Sequence, residues 1–447
     1  MRTVRSNQWN SATKVGYAMQ QPKPHAAELA ECPVKFPEKF FLTVVLSGSE
    51  QTGGAFFQSV SSLRALLRIV PESFEVTIMD VRGTFGEELD RLKLDAEVKP
   101  FKIQALPKSL STFRDRLLTD STLFYELLRV TLRLFGREVR VSRLARFLDN
   151  SSADLIYFVS PVPEAHELQI KPYFWTLWDL FHLDHPEFPE LRTSGKFEHR
   201  ELFNARSIRK ASAVVVDSQQ LALKAHSTFG APVEKFIVVP YAVPHSRATR
   251  LKSDLTKLPA EIDAITGKYF FYPAQLWTHK NHTRIIEAVV EVVSQGHDIH
   301  AVFVGRDHGA GKALDREIQK QGIGDRIHLL GYVQDDAMQT LYEASLGLVM
   351  ASYVGPNIPP LEAMSLKVPI IATNIHKNQL SNAALYFDPD NSEELADQML
   401  KLMNPKVRRS LVYAGEKRLK EIADSRDSGN ALLGERLMKI SRRLSLR

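Results

Sequence analysis

Four short segments of this sequence carry residues whose types and spacing suit the holding of a diphosphate and of sugar hydroxyls beside it. In "YPAQLWTHKNH" (272–282) Lys280 is a mobile point charge at the start of an expected helix, whose unpaired N–H groups add to its pull on an anion. In "SYVGPNIPPLEAM" (352–364) a Pro- and Gly-dense turn runs into a helix that should start near Pro359 or Pro360. There Gly355, Asn357 and Ile358 can offer backbone N–H donors, and Glu362 falls in the first turn, where a carboxylate accepts from ribose hydroxyls or serves the helix dipole. In "SGSEQTGGAFF" (47–57) Gly53 and Gly54 let a backbone approach a ligand closely, or simply make a tight turn. In "FVGRDHG" (303–309) Gly305 either approaches a nucleotide or opens a turn. His279 and His282 stand three apart, but no Asp, Glu or Cys cluster accompanies them, so no metal is expected.

The elements that must position these residues are legible as alternating strands and helices. "FFLTVVL" followed by a Gly-containing loop and an amphipathic stretch reads as a βα unit, and strand candidates recur at "FEVTIMDV", "KIQAL", "ADLIYFVS", "PYFWTLWDL", "SAVVVDS" and "FIVVPYA". The stretch 244–267 lacks strand periodicity and reads as a linker. A second series begins at "KYFFYPA" and continues through "HAVFVG", "RIHLLGY", "LGLVMAS", "VPIIATN" and "ALYFDP", with helices expected from 281 to about 295, around 313–321 and over 335–343. The fold class is therefore α/β, with two consecutive doubly wound domains. Ligands of such sheets bind beyond the carboxyl ends of the strands, where all four segments fall. The expected division is an N-terminal extension over 1–37, a first domain over 38–250, a second over 265–420, and a C-terminal helix over 421–447.

Composition narrows the classes. At 447 residues the chain exceeds one average core, and 44% hydrophobic with 25% charged residues is a globular balance. The single cysteine, Cys32, cannot form an internal disulfide, which points to a reducing, cytoplasmic setting. The longest apolar run, "FFLTVVL", is far shorter than the roughly 20 residues that span a bilayer. A formal charge of +6 and a pI near 9.1 give mild attraction to anions. The helical stretch 113–149 is rich in arginine, including Arg129, Arg133, Arg137, Arg140, Arg143 and Arg146; a solvated face is one reading, and contact with a charged acceptor or, peripherally, with anionic lipid at the inner face of the cell membrane the other. No aromatics interleave with these arginines as on a single-strand platform, so nucleic acid is not an expected partner.

Taken together, the segments resemble family four of the retaining sugar-nucleotide glycosyltransferases, over about 40 to 403 and most closely over 272–389. "YPAQLWTHKNHTRIIEAV" looks like the family's phosphate-binding lysine segment, "FVGRD" and "RIHLLGYV" like its nucleotide-binding strands, and "GPNIPPLEAMSLKVPIIATN" like its acidic signature. "TGGAFFQSV", "WTLWDLFHLDHPEFPEL" and "ASAVVVDSQQ" fit its first half. The resemblance implies a GT-B fold, two Rossmann-like domains facing across a cleft, with the final helix returning to the first. It implies a nucleotide diphosphate sugar as donor, UDP or GDP being the expected nucleotides, no separate cofactor, and a saccharide or lipid-linked saccharide acceptor in cell-envelope polysaccharide synthesis. Lys280 would meet the diphosphate and Glu362 the ribose, as the catalytic pair. Tyr332 and Val333 would border the base, and Gly53 and Gly54 would face the phosphates or the acceptor from across the cleft. Front-face departure and attack would retain the anomeric configuration without a metal.

The departures are specific. The family pairs two glutamates with seven residues between them, and the first position holds Val354. An arginine five before the lysine is replaced by Gln275, a neutral donor, and the sugar-contacting histidine of the first domain by Trp178 in "TLWD". Pro356 removes a donor from the loop. Either the sugar pocket is modified, with Asp179 or His182 serving sugar or acceptor, or the chain is a catalytically degenerate binding or partner subunit.

Overall fold

A computed structural model describes residues 39–48, 53–105, 142–244, 258 and 260–446. Among them, seven parallel strands form one sheet: β1 Phe40–Leu46, β2 Phe74–Asp80, β3 Phe101–Ala105, β4 Leu155–Phe158, β5 Tyr173–Leu177, β6 Ala213–Val216 and β7 Phe236–Val238, in the order 3-2-1-4-5-6-7. A second sheet of six holds β8 Tyr269–Pro273, β9 His300–Val304, β10 Ile327–Leu329, β11 Gly347–Met350, β12 Ile370–Thr373 and β13 Ala384–Phe387, in the order 10-9-8-11-12-13. The strands are runs of Val, Ile, Phe and Leu because helices cover both faces of a parallel sheet, and β4, β5, β6, β9, β11 and β12 are buried at every position. In both sheets the strand order reverses beside the first strand, at β1/β4 and at β8/β11. Each reversal opens a crevice at the carboxyl ends.

All the strands read from the sequence are present, and the helices fall at His282–Ser294, Gly311–Gln321 and Asp335–Glu343. The expected linker is shorter than 244–267: residues 245–257 and 259 lie outside the described residues, but Ile262 and Ile265 already pack into the second core, and Gly267 N–H bonds to the Ala344 carbonyl at 2.7 Å. The arginine-rich stretch lies outside the described residues up to 141. Its last turns form a helix, Arg143–Asp149, whose Arg143 and Arg146 line a cavity against Thr43, Thr77 and Gln104 on the first sheet. The N-terminal extension and Cys32 are also outside the described residues.

The final helix begins well before 421 and runs unbroken from Pro405 to Ser445. Leu411 and Ile422 pack in the core of the second sheet, while Leu433 and Leu437 lie in that of the first. Gly429 is where it meets β7: a Cβ there would stand 2.1 Å from the Val238 carbonyl oxygen, so only glycine permits this approach. No helix among the described residues is long and apolar enough to cross a membrane.

Candidate active site in the cleft

β8 and β11 are neighbours, so the loops leaving them meet. The loop after β8 makes a single 3-10 turn, Thr278–Lys280, before the helix His282–Ser294, with Asn281 between them in the left-handed region. The Tyr272 phenol donates to the Lys280 carbonyl at 2.8 Å, and Asn281 Nδ2 to the Pro389 carbonyl at 2.8 Å. The loop after β11 passes beside it, and Lys280 Nζ lies 3.3 Å from Asn357 Oδ1 and 3.5 Å from Ser352 Oγ. Burial pushes the Lys280 ammonium down to about 8, with the Asp179 carboxylate of the first domain opposing the fall.

Asn357 is the hub of this loop. Its side-chain NH2 donates to the Val354 carbonyl and to His376 Nε2, the latter at 3.0 Å. Burial, with the Lys280 charge nearby, drives His376 to about 3, so its ring is neutral and Nε2 accepts. Nδ1 then carries the proton and donates to Thr373 Oγ1 at 3.0 Å, which donates to the Ser352 carbonyl at 3.0 Å. Gln379 brackets the Asn357 backbone, accepting its N–H at 3.0 Å and donating to its C=O at 2.5 Å. The Asn357 N–H is therefore not an open donor for a ligand, as the sequence suggested. Gly355 allows His376 to sit close: a Cβ there would be 3.2 Å from its Nε2.

Glu362 is in the first turn of the helix Pro359–Ser365, with proline at its first position as expected. It is only 2% exposed, and one carboxylate oxygen accepts from the Tyr342 phenol at 2.7 Å. Tyr342, His376 and Gln379 escaped the sequence reading, because nothing local marks a residue whose partner is about 20 positions away.

The glycine loop of the first domain comes up from the other side. Gly53 caps the helix Gly54–Ile69 at φ 60°, and a Cβ on it would be 3.9 Å from Gln275 Nε2; one on Gly54 would be 3.4 Å from Ile358 Cδ1. The two glycines thus face Gln275 and Ile358 across the cleft. Gln275 Oε1 accepts from the Trp277 indole at 3.0 Å. Gly305 packs against the β8 exit: its Cβ would fall 2.3 Å from the Ala274 carbonyl oxygen, a sufficient reason for glycine without a nucleotide. The Gly305 N–H bonds to the Gly331 carbonyl at 2.8 Å, which brings in Tyr332, 58% exposed with the Arg306 guanidinium 5.4 Å above its ring, and the half-buried Val333.

Asp179 follows β5 at the cleft. Burial works to raise its pKa, but Arg200 at 2.5 Å and the Phe181 N–H at 2.9 Å outweigh it and hold it below the usual carboxylate range. With Trp178, Glu190, Lys196, Arg200 and Phe203 it lines a cavity of about 300 Å³. His182 does not: it is wholly buried, with Nε2 3.2 Å from Glu201 and Phe197 against its ring, so it is not open to sugar or acceptor as the sequence suggested. His279 and His282 have separate environments. His279 Nδ1 bonds to Glu190 at 2.6 Å, while His282 is buried against Tyr272 and Phe303. No group of three or more metal-ligating side chains occurs among the described residues.

Comparison with known proteins bears on the family and the fold. Residues 260–418 match the family model of glycosyl transferases group 1. The O-antigen chain mannosyltransferase RfbU of Salmonella typhimurium is 26% identical over 170 residues, 35% of this chain and 47% of that protein. O-antigen chain mannosyltransferase B of Escherichia coli is 20% identical over 230 residues, 51% of this chain and 60% of that protein. The matches span about half the length of these relatives. Among solved structures, Anabaena Alr3699/HepE in complex with UDP and glucose superposes with a TM-score of 0.62 at 16% identity, covering 90% of this chain and 99% of that one. Sucrose-phosphate synthase from Thermosynechococcus elongatus gives 0.60 at 17% identity, covering 90% and 98%. These likenesses establish the fold, GT-B, with two Rossmann-like domains.

Proposed function

We propose, from the premise that residues 260–418 belong to the glycosyl transferases group 1, that this chain is a glycosyltransferase. It moves a hexosyl or deoxyhexosyl unit from a nucleotide diphosphate sugar to a saccharide or lipid-linked saccharide in polysaccharide synthesis. The observation that carries this reading is Lys280, a half-buried ammonium at the β8/β11 crevice opposite the Gly53–Gly54 loop. Departure of the nucleoside diphosphate builds negative charge on the β-phosphate, and a desolvated ammonium placed there stabilises it more strongly than one in water. Attack from the face the leaving group vacates retains the anomeric configuration, and Lys280 supplies the charge that a metal would otherwise provide. UDP and GDP are the first nucleotides to test, UDP with the support that HepE is seen in complex with UDP-glucose.

A second reading, a degenerate binding or partner subunit, draws on Val354 in place of the first acid and on Glu362 being already bonded to Tyr342. One experiment separates the two: incubation of the purified chain with a panel of UDP-, GDP- and dTDP-sugars, following hydrolysis or transfer. Turnover by the parent that Lys280→Ala abolishes supports the transferase. Absence of turnover across the panel, or undiminished turnover in Lys280→Ala, refutes it.

A further inference from the structure

We propose that Glu190 and His279 are positioning residues for Lys280: closure of the cleft seats the Glu190 carboxylate on residue 279 and so fixes the turn that carries the lysine. The inference rests on the transferase reading above for what the lysine then does. Beside ring contacts on His279, hydrogen bonds tie the turn Thr278–Lys280 in place. Within its own domain the Tyr272 phenol holds the Lys280 carbonyl, the Tyr353 N–H holds that of His279 at 3.0 Å, and the Lys280 N–H bonds back to the Trp277 carbonyl at 3.0 Å. The donors of residue 279 both go to the first domain. One oxygen of Glu190 accepts the His279 backbone N–H at 3.1 Å and Nδ1 at 2.6 Å. Opening the cleft breaks these two bonds together and leaves the others standing.

The pair is mostly buried. The side chains of Glu190 and His279 are 8% and 15% exposed, and the segment 181–192 that carries Glu190 lays aromatic rings over the second domain. Phe181 is 5.0 Å from the His279 ring, Phe188 5.3 Å from Tyr353, and His185 5.6 Å from Tyr353. A hydrogen-bonded carboxylate in such a setting is stronger than a surface ion pair. Tyr353 in turn precedes Val354, whose N–H bonds to the same Ser352 hydroxyl that Lys280 reaches. One carboxylate from the first domain thus steadies the turn of the lysine, and through residue 279 the loop beside it.

The test uses the full chain with Glu190→Ala and Glu190→Gln, read two ways. Amide hydrogen exchange of the peptide over 276–281 reports the turn without any need for activity. The alanine variant should exchange faster there, and glutamine, which keeps an acceptor oxygen for the His279 N–H, should restore part of the protection. With the donor found in the panel, alanine should lower kcat about 100-fold with KM within about threefold, the scale of an ångström misplacement, and glutamine should recover at least about tenfold. Should the alanine variant not fold, Glu190→Asp, with the carboxylate withdrawn by one methylene, gives the same readouts. Unchanged exchange over 276–281 overturns the proposal whatever the activity, and so does parental kcat in a variant whose turn has loosened. Absence of turnover in the parent sinks the transferase reading instead, and the exchange result then decides whether Glu190 fixes the turn.

Discussion

Replacing Lys280 by methionine should stabilise the chain while removing its use of donor. The ammonium lies at the crevice with neutral partners, Ser352 and Asn357, and burial lowers its pKa from 10.5 to about 8. The unfolded chain binds that proton more readily than the folded one, so the charged lysine opposes folding below pH 8, and the opposition fades as pH rises from about 8 towards 10.5. At about 1.4 kcal/mol for each pH unit between the two values, the cost is on the order of 3 kcal/mol at neutral pH. The hydrogen bonds from the ammonium to Ser352 and Asn357 are long, and removing them offsets that gain by about 1 kcal/mol. Methionine keeps the apolar stem, so urea unfolding at pH 7 should show a net gain of about 2 kcal/mol that shrinks by pH 10. Donor binding is the second arm. A ligand held by the native state raises the melting temperature of the parent, and the variant should show no such rise with UDP- or GDP-sugar. A variant no more stable than the parent at pH 7, or an equal gap at pH 7 and pH 10, refutes the claim that this lysine is held at a desolvation cost.

Two further outcomes follow from buried polar groups. Asp217 is 5% exposed, and burial pushes its pKa up to about 7 from 3.8. Its proton is held by the folded state, so stability is lost as pH rises from about 4 through 7, and Asp217→Asn should gain on the parent over that range by a few kcal/mol in urea titrations; a gap independent of pH refutes it. Tyr342→Phe keeps the edge-to-face packing on Phe271 but takes the phenol from Glu362, and should cost about 1–3 kcal/mol in the same assay, a loss below about 0.5 kcal/mol counting against it.

How much of this could be read from the sequence follows from what is local and what is not. Parallel strands covered on both faces are continuous apolar runs, so the strands from "FFLTVVL" to "ALYFDP" could be placed by eye. The meeting of Lys280 with the loop 352–358 was readable too, since loops leaving the carboxyl ends of a doubly wound sheet gather at its switch point. Tyr342 beside Glu362 was not, because the bond joins residues 20 apart on separate helices. Nor was Glu190, whose partner lies 89 residues away on the other domain. His182 misled for the opposite reason: "WDLFHLD" offers a histidine near the cleft by sequence, but the short helix Phe181–Asp184 turns that side chain into the protein. Gly305 and Gly429 look alike in sequence to a glycine that admits a phosphate, and both are explained by a neighbouring carbonyl within 2.5 Å of a Cβ.

Val354 ties these observations together. Its N–H and the Lys280 ammonium share the Ser352 hydroxyl, and its carbonyl accepts from Asn357, so the backbone at 354 is built into the network that faces the lysine. An acid at that position would add a carboxylate to the loop that the ammonium bonds and work to hold its pKa up. With valine there, the carboxylate that acts on Lys280 is Asp179, and it comes from the opposite domain. The first domain therefore gives the lysine its counter-charge, Asp179, and the preceding residue the bonds of Glu190. A site arranged this way draws its negative charge from the other half of the molecule.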